Sequence, residues 1–272
     1  MRKRIFALFL ASLLAIVAFG FIGCSDETND SSNGANNVGT ESANEEGYNG
    51  PSTSDEVEPY SLEETLEIPE HIIIRGTRYS TSLTELDLSG WQLIRPLTDD
   101  ELEPLRYMVN LTELLLHNNA ISDISPLAGL TNLTMLGLEN NQINDISPLA
   151  ALTNLTNLYL NNNPFSDISP LAGLTNLTSV GLNDNQINDI SSLAGLTSLT
   201  ILGIQRNQIS DISALAELTN LTVLFMGFNP IDDISVVFEL TNLENLGLHY
   251  LSISDEEMVK LTAALPNTEI LR

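Results

Sequence analysis

His71, His117 and His249 are the only histidines in the chain, and Cys24 is its only cysteine. These side chains most readily supply a nucleophile, a general base or a transition-metal ligand, so their spacing bounds the available chemistry. His117 and His249 lie six steps of 22 residues apart. Wound into stacked strands, that separation is ~29 Å, too far to share a substrate or a metal. No second thiol exists for a disulfide, and no glycine-rich stretch has the form of a phosphate loop. The expectation is a protein without catalysis, cofactor or metal. The 36 Asp and Glu leave an acid–base carboxylate pair as the one enzymatic option open.

The 22-residue step comes from a frame written repeatedly between Leu111 and Leu248. One copy runs Leu133, Leu136, Leu138, Asn141, Ile143, Asp145, Ile146, Pro148, Leu149, Leu152, and others begin at Leu111, Leu155, Leu177, Leu199, Leu221 and Leu243. Leu136 and Leu138 alternate with Met135, Gly137 and Glu139, the period of a short strand with its leucines inward. Identical units stack as a parallel sheet, and no unit buries its apolar set alone. The column Asn119, Asn141, Asn163, Asn185, Asn207 and Asn229 sits where the chain leaves the strand, and its amides suit unpaired backbone groups there. Asp123, Asp145, Asp167, Asp189, Asp211 and Asp233 form a second column. Carboxylates ~5 Å apart invite a calcium reading, but their spacing matches no EF-hand loop, and turn N–H groups are the preferred partners. Ser125-Pro126, Ser147-Pro148 and Ser169-Pro170 read as an N-cap followed by proline, opening a 3₁₀ turn. The Asn-Leu-Thr triplets at 110, 132, 154, 176 and 220 look like glycosylation acceptors but are repeat consensus.

Both ends depart from the frame. Ile72-Ile73-Ile74 predicts a first strand at the N-terminal end of the stack. Leu83, Leu86, Leu88 and Leu93 follow the frame with Trp91 in place of asparagine, a residue suited to closing the core. Thr98 with Glu101 predicts a capped α-helix in the longer first repeat. Ser254 and the acidic residues after it predict a closing helix that carries Met258, Leu261 and Leu265 inward and stops at Pro266. Glu269-Ile270-Leu271 can add a last strand.

The consensus L-T-N-L-T-x-L-x-L-x-x-N-Q-I-x-D-I-S-P-L-A-G resembles the bacterial leucine-rich repeats of the internalin type. That resemblance implies an α/β solenoid. It is a horseshoe with a parallel β-sheet on the concave face and 3₁₀ turns or short helices on the convex face. It implies a surface protein that binds host or other proteins on the concave sheet. Leu62–Gly76 lacks the pattern of the internalin helical cap, and Leu271-Arg272 is not a wall-sorting signal, so a host-invasion role does not carry over.

Residues 1–23 predict a signal peptide: Arg2, Lys3 and Arg4, then an apolar run from Ile5 to Ile22. Phe21-Ile22-Gly23-Cys24 resembles a lipobox, which implies lipidation at Cys24 and a membrane anchor; an uncleaved membrane span is the alternative. Residues 24–60 are acidic and poor in apolar residues, and read as a disordered tether. Residues 61–110 then form the N-terminal cap and first atypical repeat, 111–250 the repeats, and 251–272 the C-terminal cap. With 36 Asp and Glu against 10 Lys and Arg, nucleic acid and anionic lipid are excluded as partners, and a monomer is expected.

A ligand must be chosen by the positions the frame leaves free. On the outward face Tyr159 lies between Gly137 and Gly181, and Phe225 between Gly203 and Gly247. Their rings either shield bare backbone or serve as recognition anchors. Ile201, Val223 and Phe225 predict an apolar patch, with Phe228, His249 and Tyr250 flanking it and Arg206 one repeat earlier. Glu85, Asp87, Glu113 and Glu139 make the opposite end acidic. The candidate ligand-binding residues are Tyr159, Ile201, Arg206, Val223, Phe225, Phe228, His249 and Tyr250, for a protein or an envelope glycan. A structural spacer is the remaining reading.

Overall fold

Leucine at every second strand position, repeated every 22 residues, makes each repeat offer its neighbour the same apolar edge. The computed structural model describes residues 68–90 and 95–272. The signal peptide, Cys24, the tether, Leu62, Trp91 and Leu93 lie outside the described residues. The described residues form a parallel sheet of nine strands in sequence order: β3 Glu85–Asp87, β4 Glu113–Leu115, β5 Met135–Gly137, β6 Asn157–Tyr159, β7 Ser179–Gly181, β8 Ile201–Gly203, β9 Val223–Phe225, β10 Asn245–Gly247 and β11 Glu269–Leu271. The register is unbroken: Leu86, Leu114, Leu136, Leu158, Val180, Leu202, Leu224, Leu246 and Ile270 sit side by side. A one-residue slip would turn the leucines out to solvent, so the pattern itself fixes the pairing. On the opposite side run 3₁₀ turns, including Ser125–Leu127, Ser147–Ala151, Ser169–Leu171, Ser191–Leu193, Ser213–Leu215 and Ser235–Glu239. Among the described residues no helix is long and apolar enough to cross a membrane.

Side-chain amides tie the repeats together. Asn163 Nδ2 donates to Leu160 O in its own repeat and to Leu138 O in the one before, both at 3.1 Å, while its Oδ1 accepts from Ile143 N–H at 3.1 Å. Asn119, Asn141, Asn207 and Asn229 make the same three bonds. Asn185 differs in accepting from Asn163 N–H. The partners are backbone groups in a dry interior, where an unmade bond is expensive. A second ladder runs through hydroxyls: Thr134, Thr156, Thr178, Thr200 and Thr222 each donate to the threonine carbonyl one repeat earlier. The asparagines of the Asn-Leu-Thr triplets also donate to a backbone carbonyl of the repeat before, as Asn132 Nδ2 does to Val109 O and Asn154 Nδ2 to Thr131 O, both at 2.8 Å.

The aspartates, rather than the serines, cap the 3₁₀ turns. Asp145 accepts from Ser147 N–H at 2.8 Å and from its hydroxyl at 3.0 Å, and Asp167, Asp189, Asp211 and Asp233 accept the matching N–H bond. Those N–H groups hold all five carboxyls below the usual range. The serine assigned as N-cap from sequence is thus the first residue of its turn, and the carboxylate that bonds its N–H sits two residues earlier.

Both strand and helix expectations at the N-terminus change. Ile72–Ile74 is not in the stack: β1 His71–Ile74 pairs antiparallel with β2 Thr77–Ser80 as a separate hairpin. Arg75 and Gly76, both at positive φ, make the two-residue turn that fits a twisted hairpin. The expected α-helix after Thr98 is two 3₁₀ turns, Asp99–Glu101 and Glu103–Tyr107. Pro104 has no N–H to return to Asp100, so the ladder restarts with bonds of the tighter helix. Glu101 instead clamps the hairpin to the first repeat. It receives Arg75 Nε at 2.9 Å and Arg95 Nη2 at 2.8 Å, and the Arg75 guanidinium holds its carboxyl down at about 2. At the far end α1, Asp255–Ala264, is capped by Ser254, whose Oγ accepts from Glu257 N–H at 3.2 Å. Leu261 and Leu265 from this end cover the last repeat.

Replacing Asn163 by Ala strands the Ile143 N–H in the interior and removes one of the two amide donors at each of Leu138 O and Leu160 O, which keep Asn141 and Asn185. A loss of at least about 2 kcal/mol is expected in urea unfolding. Asn154→Ala, on the exposed ladder, is expected to lose under ~1 kcal/mol.

Candidate ligand-binding face

The outward face of the sheet is built by the residues between the leucines, and its floor is largely closed. Ile201, Val223 and Phe225 are only 8%, 7% and 2% exposed, and Tyr159 is 4% exposed. The predicted apolar patch is therefore packed against itself rather than open. Phe225 lies over Gly247, where an added Cβ would stand 2.3 Å from the ring's Cδ1. Gly247 has no Cβ because the ring occupies its place, and shielding describes this ring better than display. Tyr159 does something else. Its hydroxyl accepts from Asn157 Nδ2 at 3.2 Å, and burial raises its phenol. The space over Gly181 is filled by the Asn161 amide, and that over Gly203 by Asn183.

Those amides form a further ladder that period-two reading did not distinguish from the open face. Asn161 Oδ1 accepts from Asn183 N–H, and Asn183 Oδ1 accepts from Gln205 N–H, both at 2.8 Å. All three residues are buried. Each flat amide needs bare backbone beneath it, which accounts for Gly181 and Gly203.

Open surface appears at the rim, one residue before the buried asparagine of each repeat, or before Leu251 in the last. Here Asn118, Asn140, Asn162, Asp184, Arg206, Phe228 and Tyr250 all have φ between 54° and 60°. Asparagine tolerates this left-handed geometry because its short amide bonds locally; bulky residues do so at a cost. The asparagines form a ladder, with Asn140 donating to Asn118 at 2.9 Å and Asn162 to Asn140 at 2.8 Å. The last residues form a stack instead. The Arg206 guanidinium lies 4.0 Å from the Phe228 ring centroid, and the Phe228 and Tyr250 centroids are 4.3 Å apart. His249 lies 6.4 Å from Phe228 in a parallel plane. Asp184 steadies Arg206 at 3.6 Å, and burial raises its carboxyl. Tyr250 is 76% exposed and ends the stack with an open ring face. The sequence-derived residues thus separate into a closed floor, Tyr159, Ile201, Val223 and Phe225, and a rim, Arg206, Phe228, His249 and Tyr250.

The acidic end contains one group the sequence reading left among many. Glu139 Oε2 is covered and accepts no hydrogen bond. Burial pushes the Glu139 carboxyl up to about 7. His117 is nearby and is lowered by burial, with Asp87 opposing. Among the described residues no three His, Cys, Asp or Glu side chains converge to hold a metal.

Two measurements separate these roles. Phe225→Ala removes a packed ring and is expected to cost roughly 3 kcal/mol of stability, whereas Tyr250→Ala is expected to cost under ~0.5 kcal/mol. For Glu139, a folded pKa above the unfolded value near 4.5 means that stability is fully present below that value and falls as pH rises through about 7. Glu139→Gln is thus expected to match the parent at pH ~4 and exceed it at pH ~8 by on the order of 2 kcal/mol, read from paired urea melts.

The repeats match a family model described as leucine-rich repeats (2 copies) over residues 109–151, 153–195, 175–217 and 197–239. No curated protein sequence matches the chain. Among solved structures it is similar to internalin C2 of Listeria monocytogenes, with 33% identity, 71% of this chain and 84% of that one covered, and a TM-score of 0.61. It is also similar to an internalin, inlF, of the same organism, with 33% identity and a TM-score of 0.60; the match covers 72% of this chain and spans 63% of that longer one. A plant peptide hormone receptor, RGFR1, in complex with RGF2, matches at 25% identity and a TM-score of 0.53, over 62% of this chain and 29% of that one. Repeat frame, strand register and similarity agree, and the chain belongs to the internalin-like leucine-rich-repeat proteins.

Proposed function

We propose that this chain is a non-catalytic protein-binding module that seats its partner on the sheet face and is held by the C-terminal rim. The observation that carries this reading is the Arg206–Phe228–Tyr250 stack. Arginine, phenylalanine and tyrosine occupy left-handed positions that earlier repeats fill with asparagine or, at Asp184, aspartate. Local strain of that kind is retained where the surface is used, and aromatic and arginine side chains dominate binding energy at interfaces. The plant receptor's complex with RGF2 supports a peptide or protein as the ligand class. In this reading Tyr159, Ile201, Val223 and Phe225 shape the floor beneath the partner, while Arg206, Phe228, His249 and Tyr250 touch it. The chain acts as a monomer, displayed on the outer face of a bacterial membrane by lipid at Cys24. An envelope glycan is the alternative ligand, favoured by the open ring of Tyr250.

The test compares wild type with Phe228→Ala/Tyr250→Ala, immobilised as the full chain and offered labelled surface proteins and a glycan array. A protein captured by wild type is expected to bind the double variant at least about tenfold more weakly, with the unfolding midpoint nearly unchanged. Equal capture by the folded double variant would overturn the rim as the contact. Capture of glycans alone would replace protein with glycan.

A further inference from the structure

Glu139 has no structural task that explains a carboxylate. It shares a column with Asn161, Asn183 and Gln205, two of whose side-chain oxygens accept the next repeat's N–H. Glu139 Oε2 accepts none and is covered. Instead the carboxylate lies over Gly137, where an added Cβ would stand 3.2 Å from Oε2, 3.0 Å from Leu115 Cδ2 and 3.8 Å from His117 Nδ1. Glutamine would fill the same space without the penalty of a desolvated charge. Yet the residue as a whole is only half-buried, and its side chain is flexible, so the carboxylate lies close to the open face.

The surroundings favour a cation there. From β3 comes Asp87, whose carboxylate also accepts from Ser89; from the turn after β4 comes His117; from β6 comes Tyr159, which feels the Glu139 charge. Glu139 and Asp87 sum to a negative field at this end of the sheet. His117, lowered by burial, adds little opposing charge near neutrality. One carboxylate oxygen without a partner satisfies an ammonium or guanidinium but not the ligand count of a divalent ion, and among the described residues no such metal cluster exists.

We propose that Glu139 receives one basic group of a polypeptide ligand, an ammonium or guanidinium laid on the sheet over Gly137 between His117 and Tyr159. The protein-binding reading above supplies only the source of that cation. A partner gripped by aromatics at the C-terminal rim would then be oriented by a basic residue five repeats away, in the acidic half.

The test uses the full chain in detergent, labelled with 13Cδ-glutamate, titrated by NMR with Nα-acetylated argininamide or with neutral Nα-acetylated citrullinamide as probe. The Glu139 signal is the one missing from Glu139→Gln. Argininamide is expected to lower its titration midpoint by about one unit or more, the effect of an opposite charge at close range, with no shift from citrullinamide. Argininamide is also expected to move the His117 ring signals of wild type and to bind Glu139→Gln about tenfold more weakly. An unmoved midpoint, equal shifts with both probes, or equal binding by Glu139→Gln would each overturn the proposal. A cation response without any captured protein would keep this site and discard the protein-binding reading. Protein capture indifferent to Glu139→Gln, with no argininamide response, would do the reverse.

Discussion

The buried amide column is the constraint on which the rest of the protein hangs. Each strand is three residues long, too short to hold a sheet by its own backbone bonds. After the strand the chain turns inward and carries carbonyls into the leucine core. Asn163 satisfies one of those carbonyls in its own repeat and one in the repeat before, while the N–H of Ile143 finds its oxygen. A hydroxyl would have too few donors, and a carboxylate none. The amide therefore joins neighbours in pairs, and the stack acquires a fixed rise with little freedom to bend. The threonine and outer asparagine ladders repeat the device at the surface, where water competes and each bond counts for less.

A frame fixed this firmly can carry side chains that a looser one could not. The residue before the buried asparagine is forced to positive φ by the turn, and in three successive repeats asparagine meets that demand and bonds to its neighbour. From Arg206 onward the same geometry is imposed on residues that resist it. Their mutual stacking returns part of the lost energy, since a guanidinium over a ring and two stacked rings are each favourable. What remains is a rigid aromatic edge projected from backbone that cannot relax. Such an edge suits recognition because little conformational freedom is left to lose on binding.

The frame of leucines made the solenoid and its parallel register legible before any coordinates, because period two and a constant step admit one arrangement. Local chemistry is less legible in the residue pattern. Arg75-Gly76 is a hairpin turn signal, and without weighing it the isoleucines of β1 looked like a strand of the stack. Pro104 inside the supposed helix after Thr98 should have shortened it. On the outward face, alternation states which way a residue points but not what its neighbours place over it. Phe225 points outward and is closed off by packing over Gly247, whereas Tyr250, at the turn, stands open. Glu139 was invisible for the same reason: among many carboxylates, only the third dimension singles out one whose oxygen is covered and unpartnered.

The buried frame and the closed floor of the sheet hold the fold, and the rim residues Arg206, Phe228 and Tyr250 burden it for the sake of contact. The most direct test is the urea unfolding midpoint of a variant in which Arg206, Phe228 and Tyr250 are all replaced by Asn, the residue that earlier repeats place at this geometry. The account predicts a midpoint at or above that of the parent, because strain is relieved and the asparagine ladder can extend. A midpoint lowered by more than the equivalent of ~1 kcal/mol would show that the stack supports the fold, and would contradict the separation of frame from contact surface.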